Sequence, residues 1–430
     1  MSRPTGFAEL ANLNVGVWGF GIEGEATVRR LGSIPRSIVI VDDIADESRG
    51  VIGTQHGGLE RLRQCDVVLK SPGIPRRRDD VVDLESRGVV LTSALNLWLG
   101  EIDRSRVIAI TGTKGKSTTT SVITFFLRAL GEEAHSAGNF GTPPYDPTFA
   151  KSGWVVLEVS SFQSLDLELA PAIIVVTSLG ADHLDWHGSL HQYHEDKLSF
   201  TRSRGAHTTY VADESSLRDQ RDAIGGDVVF VIPNDEGLAV RMGLIGQHNV
   251  ANVALALAAT SKVLGRSVED LLTPLRGVAS SFEPLPGRLT VVGQQDGVRF
   301  VDDGLATSPL PTIAALSVFD NEPVALIVGG FDRGVDYTAL ASAIANRRPP
   351  TALVAMPDAG ARIVATVLEH VSVPHVHTAN MTDAVSAAIA ALGSGGGVVL
   401  LSPAAPSFGH YANWRERSAE FDSIVAAQLH

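Results

Sequence analysis

The sequence predicts an α/β protein of three domains, and three observations support this prediction. The chain has 430 residues, and domains commonly run to about 100–200 residues. Apolar strand-like runs alternate with helix-like runs along the whole chain, a pattern typical of parallel sheets covered by helices. A hydrophobic content of 44% with 19% charged residues is ordinary for a globular protein with several cores. We expect domains at residues 1–95, 96–284 and 285–430, the first and last of them Rossmann-like.

Each of the three runs contains enough strand candidates for its own sheet. The first run, about residues 10–93, contains VGVWGF, the helix GEATVRRLG, SIVIVDD, DVVLKS and GVVLT. The second contains RVIAITG, the helix STTTSVITFFLRALG, WVVLEVS, AIIVVTSL, TTYVAD and the long helix NVANVALALAATSKVLG. The third starts near GRLTVVGQQDGVRFVDD and contains PVALIVGG, TALVAMP and GVVLLSP. The segment SSFEPLPG, residues 280–287, is expected to link the second domain to the third.

Charge and cysteine content argue against several classes of function. A formal net charge of −13 disfavours binding to nucleic acid or to an acidic membrane surface. Cys65 is the single cysteine, so the chain has no internal disulfide and no cysteine-cluster metal site. The N-terminus has no long apolar segment, and no stretch reaches about 18 apolar residues. We therefore expect a cytoplasmic protein that binds neither membrane nor nucleic acid.

The clearest chemical motif is AITGTKGKSTTT, residues 109–120, in which an apolar strand enters a glycine-rich turn and Lys116 and Ser117 open a helix. Backbone N–H groups in such a turn bind phosphates, Lys116 would reach the outer phosphates and Ser117 would bind Mg²⁺. The strict G-x-x-x-x-G-K-[ST] spacing is not met, because Ile110 stands at its first glycine. The alternative is a purely structural turn at the start of a helix. We expect a P-loop ATPase-like central domain whose phosphate loop consists of Gly112, Thr113, Lys114, Gly115, Lys116, Ser117 and Thr118.

A second glycine pattern, GFGIEG at residues 19–24, follows the first strand, and Asp42 ends the next strand about twenty residues on. SPGIP, residues 71–75, adds another loop at the same sheet edge, where open α/β sheets bind ligands. A lone glycine fingerprint is weak, so a dinucleotide, some other nucleotide and a tight turn all remain open.

Glu158, in LEVSSFQ, ends a strand where a carboxylate could hold Mg²⁺ opposite a phosphate loop. The alternative is a polar group satisfied by its neighbours. Asn249 and Asn252 lie on one face of a predicted helix and could pair with an adenine edge. Their alternative role is helix capping.

The segment GADHLDWHGSLHQYHEDKLSF contains several histidines and carboxylates but no clear zinc-site spacing. His183 could be an ordinary loop histidine. Tyr193 and Lys197 are four residues apart and share a helix face. Surface exposure is the alternative for Lys197.

Together these motifs resemble the Mur ligases of peptidoglycan synthesis, ATP-dependent amide-forming enzymes with three α/β domains. The resemblance is carried by GTKGKS, LEVSSFQ, DHLDWHG, the Tyr193–Lys197 pair and GQHNVANVALA. GFGIEG and SPGIP resemble the UDP-binding domain of the glutamate-adding members. Further matching blocks are GNFG (138–141), GGFDRGVDY (329–337) and LLSPAAPSFGHYANWRERSAEFDSIV (400–425). The resemblance implies a monomer that uses ATP to add glutamate to UDP-N-acetylmuramoyl-L-alanine.

The resemblance also implies a role for each matching position. The expected catalytic residues are Lys116, His183 and Lys197. Two Mg²⁺ ions are expected, one at Ser117 and Glu158, the other at His183 and a Lys197 carbamylated by CO₂. The expected ATP contacts are the phosphate loop, Asn249, Asn252, Arg288 and Asp303. The expected contacts to the UDP-substrate are Gly21, Ile22, Asp42, Ser71, Gly73, Asn139 and Ser160. The expected glutamate contacts are Leu305, Thr307, Arg333, Ser407 and Phe408.

The third domain departs from the usual glutamate-adding pattern. The stretch DDGLATS usually reads N-D-S-K-A-T-N, so Leu305 replaces a lysine and Gly304 a serine. Arg333 replaces the lysine of a D-K-G block, and Ala-Pro-Ser at 405–407 replaces Cys-Ala-Ser. With these changes the sequence resembles the subfamily that adds L-glutamate. The loss of one cation and the gain of a planar guanidinium would reposition the glutamate carboxylates. D-glutamate, a folylpolyglutamate-type ligase and a non-catalytic nucleotide-binding module are the alternatives.

Overall fold

A computed structural model describes residues 3–349 and 351–429. Within these residues the strands form three sheets, each accompanied by helices, which confirms the predicted α/β fold. The first two sheets consist of parallel pairs, and the third has one antiparallel edge pair. Parallel strands need helical crossovers, which explains the alternation of strand and helix patterns along the sequence.

The first sheet has the strand order β3-β2-β1-β4-β5, which is the arrangement of a Rossmann-type half-fold. Its strands are β1 (Asn14–Trp18), β2 (Ser37–Asp42), β3 (Val51–Gly53), β4 (Val67–Lys70) and β5 (Val90–Thr92). Its helices are α1 (Ile22–Leu31), α2 (Leu59–Leu62), α3 (Asp79–Ser86) and α4 (Ala94–Glu101). GFGIEG and SPGIP follow β1 and β4, two neighbouring strands, so both loops lie at the same edge of the sheet.

The second sheet has the order β11-β10-β9-β6-β8-β7, with all pairs parallel. Its strands are β6 (Val107–Thr111), β7 (Ala134–Gly138), β8 (Trp154–Glu158), β9 (Ile173–Val176), β10 (Thr208–Ala212) and β11 (Asp227–Val231). The helices of this stretch are α5 (Lys116–Ala129), α6 (Ser161–Ser164), α7 (Leu184–His187), α8 (Leu190–Leu198), α9 (Ser215–Arg218), α10 (Leu238–Arg241), α11 (Gln247–Leu264) and α12 (Val268–Val278). All five residues of β6 are buried, as expected for a central strand covered on both faces.

The third sheet has the order β12-β13-β17-β14-β15-β16, and β12 pairs antiparallel with β13. Its strands are β12 (Thr290–Gln295), β13 (Val298–Asp302), β14 (Val324–Gly330), β15 (Thr351–Asp358), β16 (His375–His377) and β17 (Gly397–Leu401). Its helices are α13 (Pro309–Ser317), α14 (Thr338–Ala345), α15 (Ala359–Leu368), α16 (Met381–Leu392) and α17 (Trp414–Gln428). Successive residues such as Leu326 and Ile327 enter different core clusters, because side chains alternate between the two faces of a strand.

The chain divides into two compact units. The first consists of Met1–Leu238 and His248–Val278 and contains the first two sheets; the second consists of Ala239–Gln247 and Ala279–His430 and contains the third. The three domain boundaries expected from the sequence stay a prediction. Within the described residues, no helix has the length and apolar character needed to cross a membrane.

Candidate active site

The phosphate-loop motif forms a tight turn between β6 and α5. Its two glycines have left-handed φ values, 136° at Gly112 and 86° at Gly115. A Cβ atom at Gly112 would lie 2.2 Å from Thr177 Oγ1, and one at Gly115 would lie 2.4 Å from Asn252 Oδ1. Both the backbone conformation and the space around it therefore require glycine.

The end of the neighbouring strand β9 holds the loop in place. Thr113 N–H donates to Ser178 O (2.9 Å) and Lys114 N–H donates to Ser178 Oγ (2.8 Å). The Thr177 hydroxyl donates to Lys114 O at 2.5 Å. The sequence reasoning missed Thr177 and Ser178; the available signal was the strand-like run AIIVVTSL, which ends in two hydroxyl residues.

Two lysine side chains meet at the loop. Lys116 Nζ donates to Gly112 O (2.9 Å) and Thr113 O (3.1 Å), and Lys197 Nζ also donates to Gly112 O (2.9 Å). Lys197 is 1% exposed, so the alternative of a surface lysine is wrong. Burial, followed by the charge of Lys116, lowers the pKa of Lys197 well below its ordinary value. Tyr193 packs against it, with the amine 5.0 Å from the ring centroid.

Glu158 ends β8, the strand paired with β6, and is 2% exposed. Its Oε1 accepts a hydrogen bond from Asn139 Nδ2 (2.9 Å), whereas its Oε2 is buried with no hydrogen-bond partner. A buried carboxylate oxygen without a hydrogen-bond partner lowers folding stability when no ligand is bound. It is also a ligand type that Mg²⁺ prefers. Ser117, at the start of α5, offers a hydroxyl oxygen, so both side chains are of ligand types that suit Mg²⁺.

His183 lies in a different environment from Lys197. Its side chain is 53% exposed, its Nε2 lies 3.9 Å from Asp182 Oδ1, and its ring packs 5.0 Å from Phe162. Asp182 also pairs with Lys114 Nζ at 3.1 Å. Although burial opposes the shift, the positive charges of Lys114 and His183 lower the pKa of Asp182. The sequence reasoning did not assign a role to Asp182, although it directly precedes His183.

A second histidine, His187, is fully buried. Its Nδ1 lies 2.7 Å from Asp196 Oδ2 and its Nε2 lies 3.1 Å from Ser161 Oγ. Arg77 binds both oxygens of Asp196, at 2.7 and 2.9 Å. This arrangement has the connectivity of a catalytic triad, but the side chain of His187 is 0% exposed and Ser161 is 4% exposed. The cluster therefore joins α6, α7 and α8 and offers no accessible nucleophile.

Asn249 and Asn252 lie together near the start of α11 and are 3% and 4% exposed. Asn252 Nδ2 donates to Asn249 Oδ1 at 3.1 Å. Because the Asn252 side chain also borders Gly115, this face of α11 lies against the phosphate loop. Contact with adenine stays a prediction.

The two glycine loops of the first sheet are tied to each other. Ser71 Oγ donates to Gly19 O at 2.8 Å. Asp42 accepts Phe20 N–H at 2.6 Å, so here this carboxylate shapes the first loop. Gly21 and Gly73 border open space, and Ile22 is 74% exposed, so the loops leave room for a ligand. Ser160 caps α6, accepting Gln163 N–H at 3.1 Å.

In the second unit, Arg288 precedes β12, and the other expected ATP and glutamate residues lie on loops that follow strands of the third sheet. Asp303 is 8% exposed and accepts a hydrogen bond from Ser402 Oγ (2.7 Å). Burial, together with the charge of Asp302, raises the pKa of Asp303 to about 8. The guanidinium of Arg333 lies 5.9 Å from the ring centroid of Phe408, and both side chains are exposed. Of the other expected residues, the half-buried ones are Arg288, Leu305 and Thr307, and the buried one is Ser407.

The structure places a phosphate loop after the central strand of a parallel sheet, with a buried carboxylate and two lysine amines beside it. This arrangement defines a nucleoside-triphosphate-binding protein of the P-loop type. Two family models match this chain: the Mur ligase middle domain over residues 110–224, and the glutamate ligase domain of Mur ligases over residues 287–405. The chain belongs to the Mur ligase family.

Relatives match along nearly the whole chain. A UDP-N-acetylmuramoyl-L-alanine--L-glutamate ligase from Micromonospora is 36% identical, over 97% of both chains. A ligase of the same name from Salinispora tropica is 35% identical, over 97% of this chain and 98% of the relative. The crystal structure of MurF ligase from Thermotoga maritima in complex with ADP matches with a TM-score of 0.57 at 14% identity, over 99% of this chain and 98% of that one. At that identity, the structural match shows the fold alone.

Proposed function

We propose that this protein is an ATP-dependent ligase that joins L-glutamate to UDP-N-acetylmuramoyl-L-alanine in peptidoglycan precursor synthesis, with ADP and phosphate as products. The observation that carries the proposal is the full-length similarity to relatives named for this reaction. Leu305 and Arg333 support the choice of enantiomer, because they alter the charge and shape of the expected glutamate subsite. D-glutamate is the second candidate.

The reaction proceeds in two steps. The terminal carboxylate of the muramoyl substrate attacks the γ-phosphorus of ATP, and ADP leaves, forming an acyl phosphate. The amine of glutamate then attacks the acyl carbon, and phosphate leaves from a tetrahedral intermediate. The loop N–H groups and Lys116 stabilise the negative charge on the transferring phosphoryl group. Lys116 can make these contacts by exchanging its bonds to Gly112 O and Thr113 O for phosphate oxygens.

Ser117 and Glu158 would hold one Mg²⁺, and His183 with a carbamate on Lys197 would hold a second. When bound, Mg²⁺ offsets the repulsion between the anionic carboxylate and the triphosphate. Burial, followed by the charge of Lys116, lowers the pKa of Lys197 and so favours its neutral amine over the ammonium form. The neutral amine can add CO₂ and release a proton, which gives a carbamate, a carboxylate-type oxygen ligand.

We assign the remaining subsites as the sequence predicts. Asn249, Asn252, Arg288 and Asp303 would contact ATP, and the loops at 19–24 and 71–75, with Asn139 and Ser160, would hold the UDP-substrate. We propose that the protein acts in the cytoplasm as a monomer with domains at 1–95, 96–284 and 285–430.

Phosphate release tests the proposal. The purified protein is incubated with ATP, Mg²⁺, UDP-N-acetylmuramoyl-L-alanine and either glutamate enantiomer. Release with L-glutamate supports the proposal, release only with D-glutamate overturns the choice of enantiomer, and release with neither overturns the ligase. Lys116→Ala should abolish turnover, whereas Lys151→Ala, at an exposed lysine, is the matched control.

A further inference from the structure

Arg417, in the first turn of α17, is a buried cation that donates to three backbone carbonyls among the described residues. It is 2% exposed, and its NH1 donates to Gly329 O (3.3 Å) and Ala405 O (3.1 Å). Its NH2 donates to Gly304 O at 3.0 Å. Burial lowers the pKa of Arg417 to about 10, so the guanidinium keeps its charge at neutral pH. The planar guanidinium of Arg417 thus donates to three acceptors at once.

The three carbonyls lie where three different strands of the third sheet end or have just ended. Gly304 follows β13, Gly329 is the second-last residue of β14, and Ala405 follows β17. In the sheet, β17 lies between β13 and β14 and pairs with both. Each loop continues into residues expected to contact glutamate, namely Leu305 and Thr307, Arg333, and Ser407 and Phe408. One side chain therefore contacts all three segments.

Ser418, the next residue, holds the first of these loops from its other side. Its hydroxyl donates to Asp302 Oδ1 (3.0 Å), and Asp302 also accepts Gly304 N–H (2.9 Å) and Gly287 N–H (2.8 Å). A Cβ atom at Gly304 would lie only 2.2 Å from Ser418 Oγ. The hydroxyl of Ser418 therefore fills the space that a side chain at position 304 would need.

We propose that Arg417 and Ser418 are positioning residues of the amino-acid subsite. They do not touch the substrate; they set the relative positions of the three loops and so the affinity for glutamate. This inference rests on the proposed function, since it takes these loops to be the glutamate subsite. Losing the guanidinium would leave three buried carbonyls short of a donor, and each loop would then relax independently.

Arg347 provides a matched control within the same sheet. Its side chain is 4% exposed, and it also donates to three carbonyls: Leu316 O (2.6 Å), Phe319 O (2.8 Å) and Glu322 O (2.9 Å). These carbonyls precede β14, so they lie at the opposite end of the strands from the loops that Arg417 holds. The two arginines thus each donate to three carbonyls but differ in location, and Arg347 also contacts Thr351 Oγ1 (3.0 Å) and Asp320 Oδ1 (3.4 Å).

The first experiment compares Arg417→Met with Arg347→Met, measuring KM for each substrate together with the melting temperature. We expect Arg417→Met to raise KM for L-glutamate at least about tenfold and to leave KM for ATP within about twofold. Arg347→Met should lower the melting temperature without changing KM for glutamate. Arg417→Lys should fall between wild type and Arg417→Met, because an ammonium group cannot reproduce the planar fork. An unchanged KM for glutamate in Arg417→Met, or equal changes in both methionine variants, would overturn the proposal.

The second experiment moves the hydroxyl from position 418 in α17 to position 304 in the loop after β13. It tests the proposal even if Arg417→Met does not fold. Gly304→Ser should raise KM for glutamate, because its side chain collides with Ser418 Oγ. Gly304→Ser combined with Ser418→Gly should recover part of the affinity, since one hydroxyl replaces the other beside Asp302, whose Oδ1 would still lie 2.9 Å from the new Cβ. A double variant no better than Gly304→Ser would contradict the role of Ser418. Wild-type protein inactive with both enantiomers would refute the proposed function instead, so the two failures are distinguishable.

Discussion

Lys70 and Asp166 form a buried ion pair. Replacing Lys70 alone should cost more folding stability than replacing both residues together. Lys70 Nζ lies 2.8 Å from Asp166 Oδ2, with side-chain exposures of 3% and 2%. The same ammonium group donates to Ile74 O (2.9 Å) and Ser71 O (3.2 Å), which are carbonyls of the loop expected to hold the UDP-substrate. The pair therefore connects that loop to the segment that follows α6.

The magnitude follows from burial and distance. At an effective dielectric constant of about 20, unit charges at this separation attract by about 6 kcal/mol, and most of that is offset by the cost of removing both charges from water. Removing one partner of a buried pair typically costs about 3–5 kcal/mol. Arg76 NH1, 3.2 Å from Asp166 Oδ1, would still compensate the carboxylate. We therefore expect Lys70→Met to cost about 3 kcal/mol, the lower end of that range.

A double-mutant cycle tests this reasoning by urea denaturation. Lys70→Met combined with Asp166→Leu should cost only about 1–2 kcal/mol, because an apolar pair leaves no buried charge. Disrupting the half-exposed pair of Arg63 and Asp83, 2.8 Å apart, should cost less than about 1 kcal/mol and is the control. The reasoning is refuted if Lys70→Met costs no more than the control, or if the double variant costs as much as the two single variants together.

Three further predictions concern the nucleotide site and Asp303. Gly112→Ala should abolish ATP binding in calorimetry, because its Cβ would lie 2.2 Å from Thr177 Oγ1; Gly131→Ala, at a left-handed position with open space, should retain binding. Glu158→Gln should raise the Mg²⁺ concentration needed for half-maximal activity about tenfold or more without changing the melting temperature; an unchanged requirement would contradict the metal assignment. A folded-state pKa of about 8 means that Asp303 reduces stability as pH rises from about 4 to about 8, by up to about 1.4 kcal/mol per unit. Asp303→Asn should therefore shrink the difference between the unfolding free energies at pH 5 and pH 8, and an unchanged difference would argue against it.

The parts of this protein that sequence reasoning predicted best are those in which local chemistry dictates the residues. The alternation of apolar strands and helices predicted three α/β sheets, and the structure confirms them. The turn between β6 and α5 was predicted from its glycines, whose left-handed φ values permit few other residues. No role was predicted for Asp182 or Ser178, although Asp182 begins the motif DHLDWHG, because each contacts a phosphate-loop residue that is distant in the sequence.

The sequence by itself therefore determined the sheets, the phosphate loop and the family to which the chain belongs, since each depends on residues close together along the chain. Only the tertiary structure decided which distant residues meet. It buries Lys197 beside Gly112 and lowers the pKa of that lysine. It also brings Arg417 to the carbonyl of Gly304, a contact across 113 positions. Sheet order and burial produce these contacts, and both are properties of the folded chain as a whole.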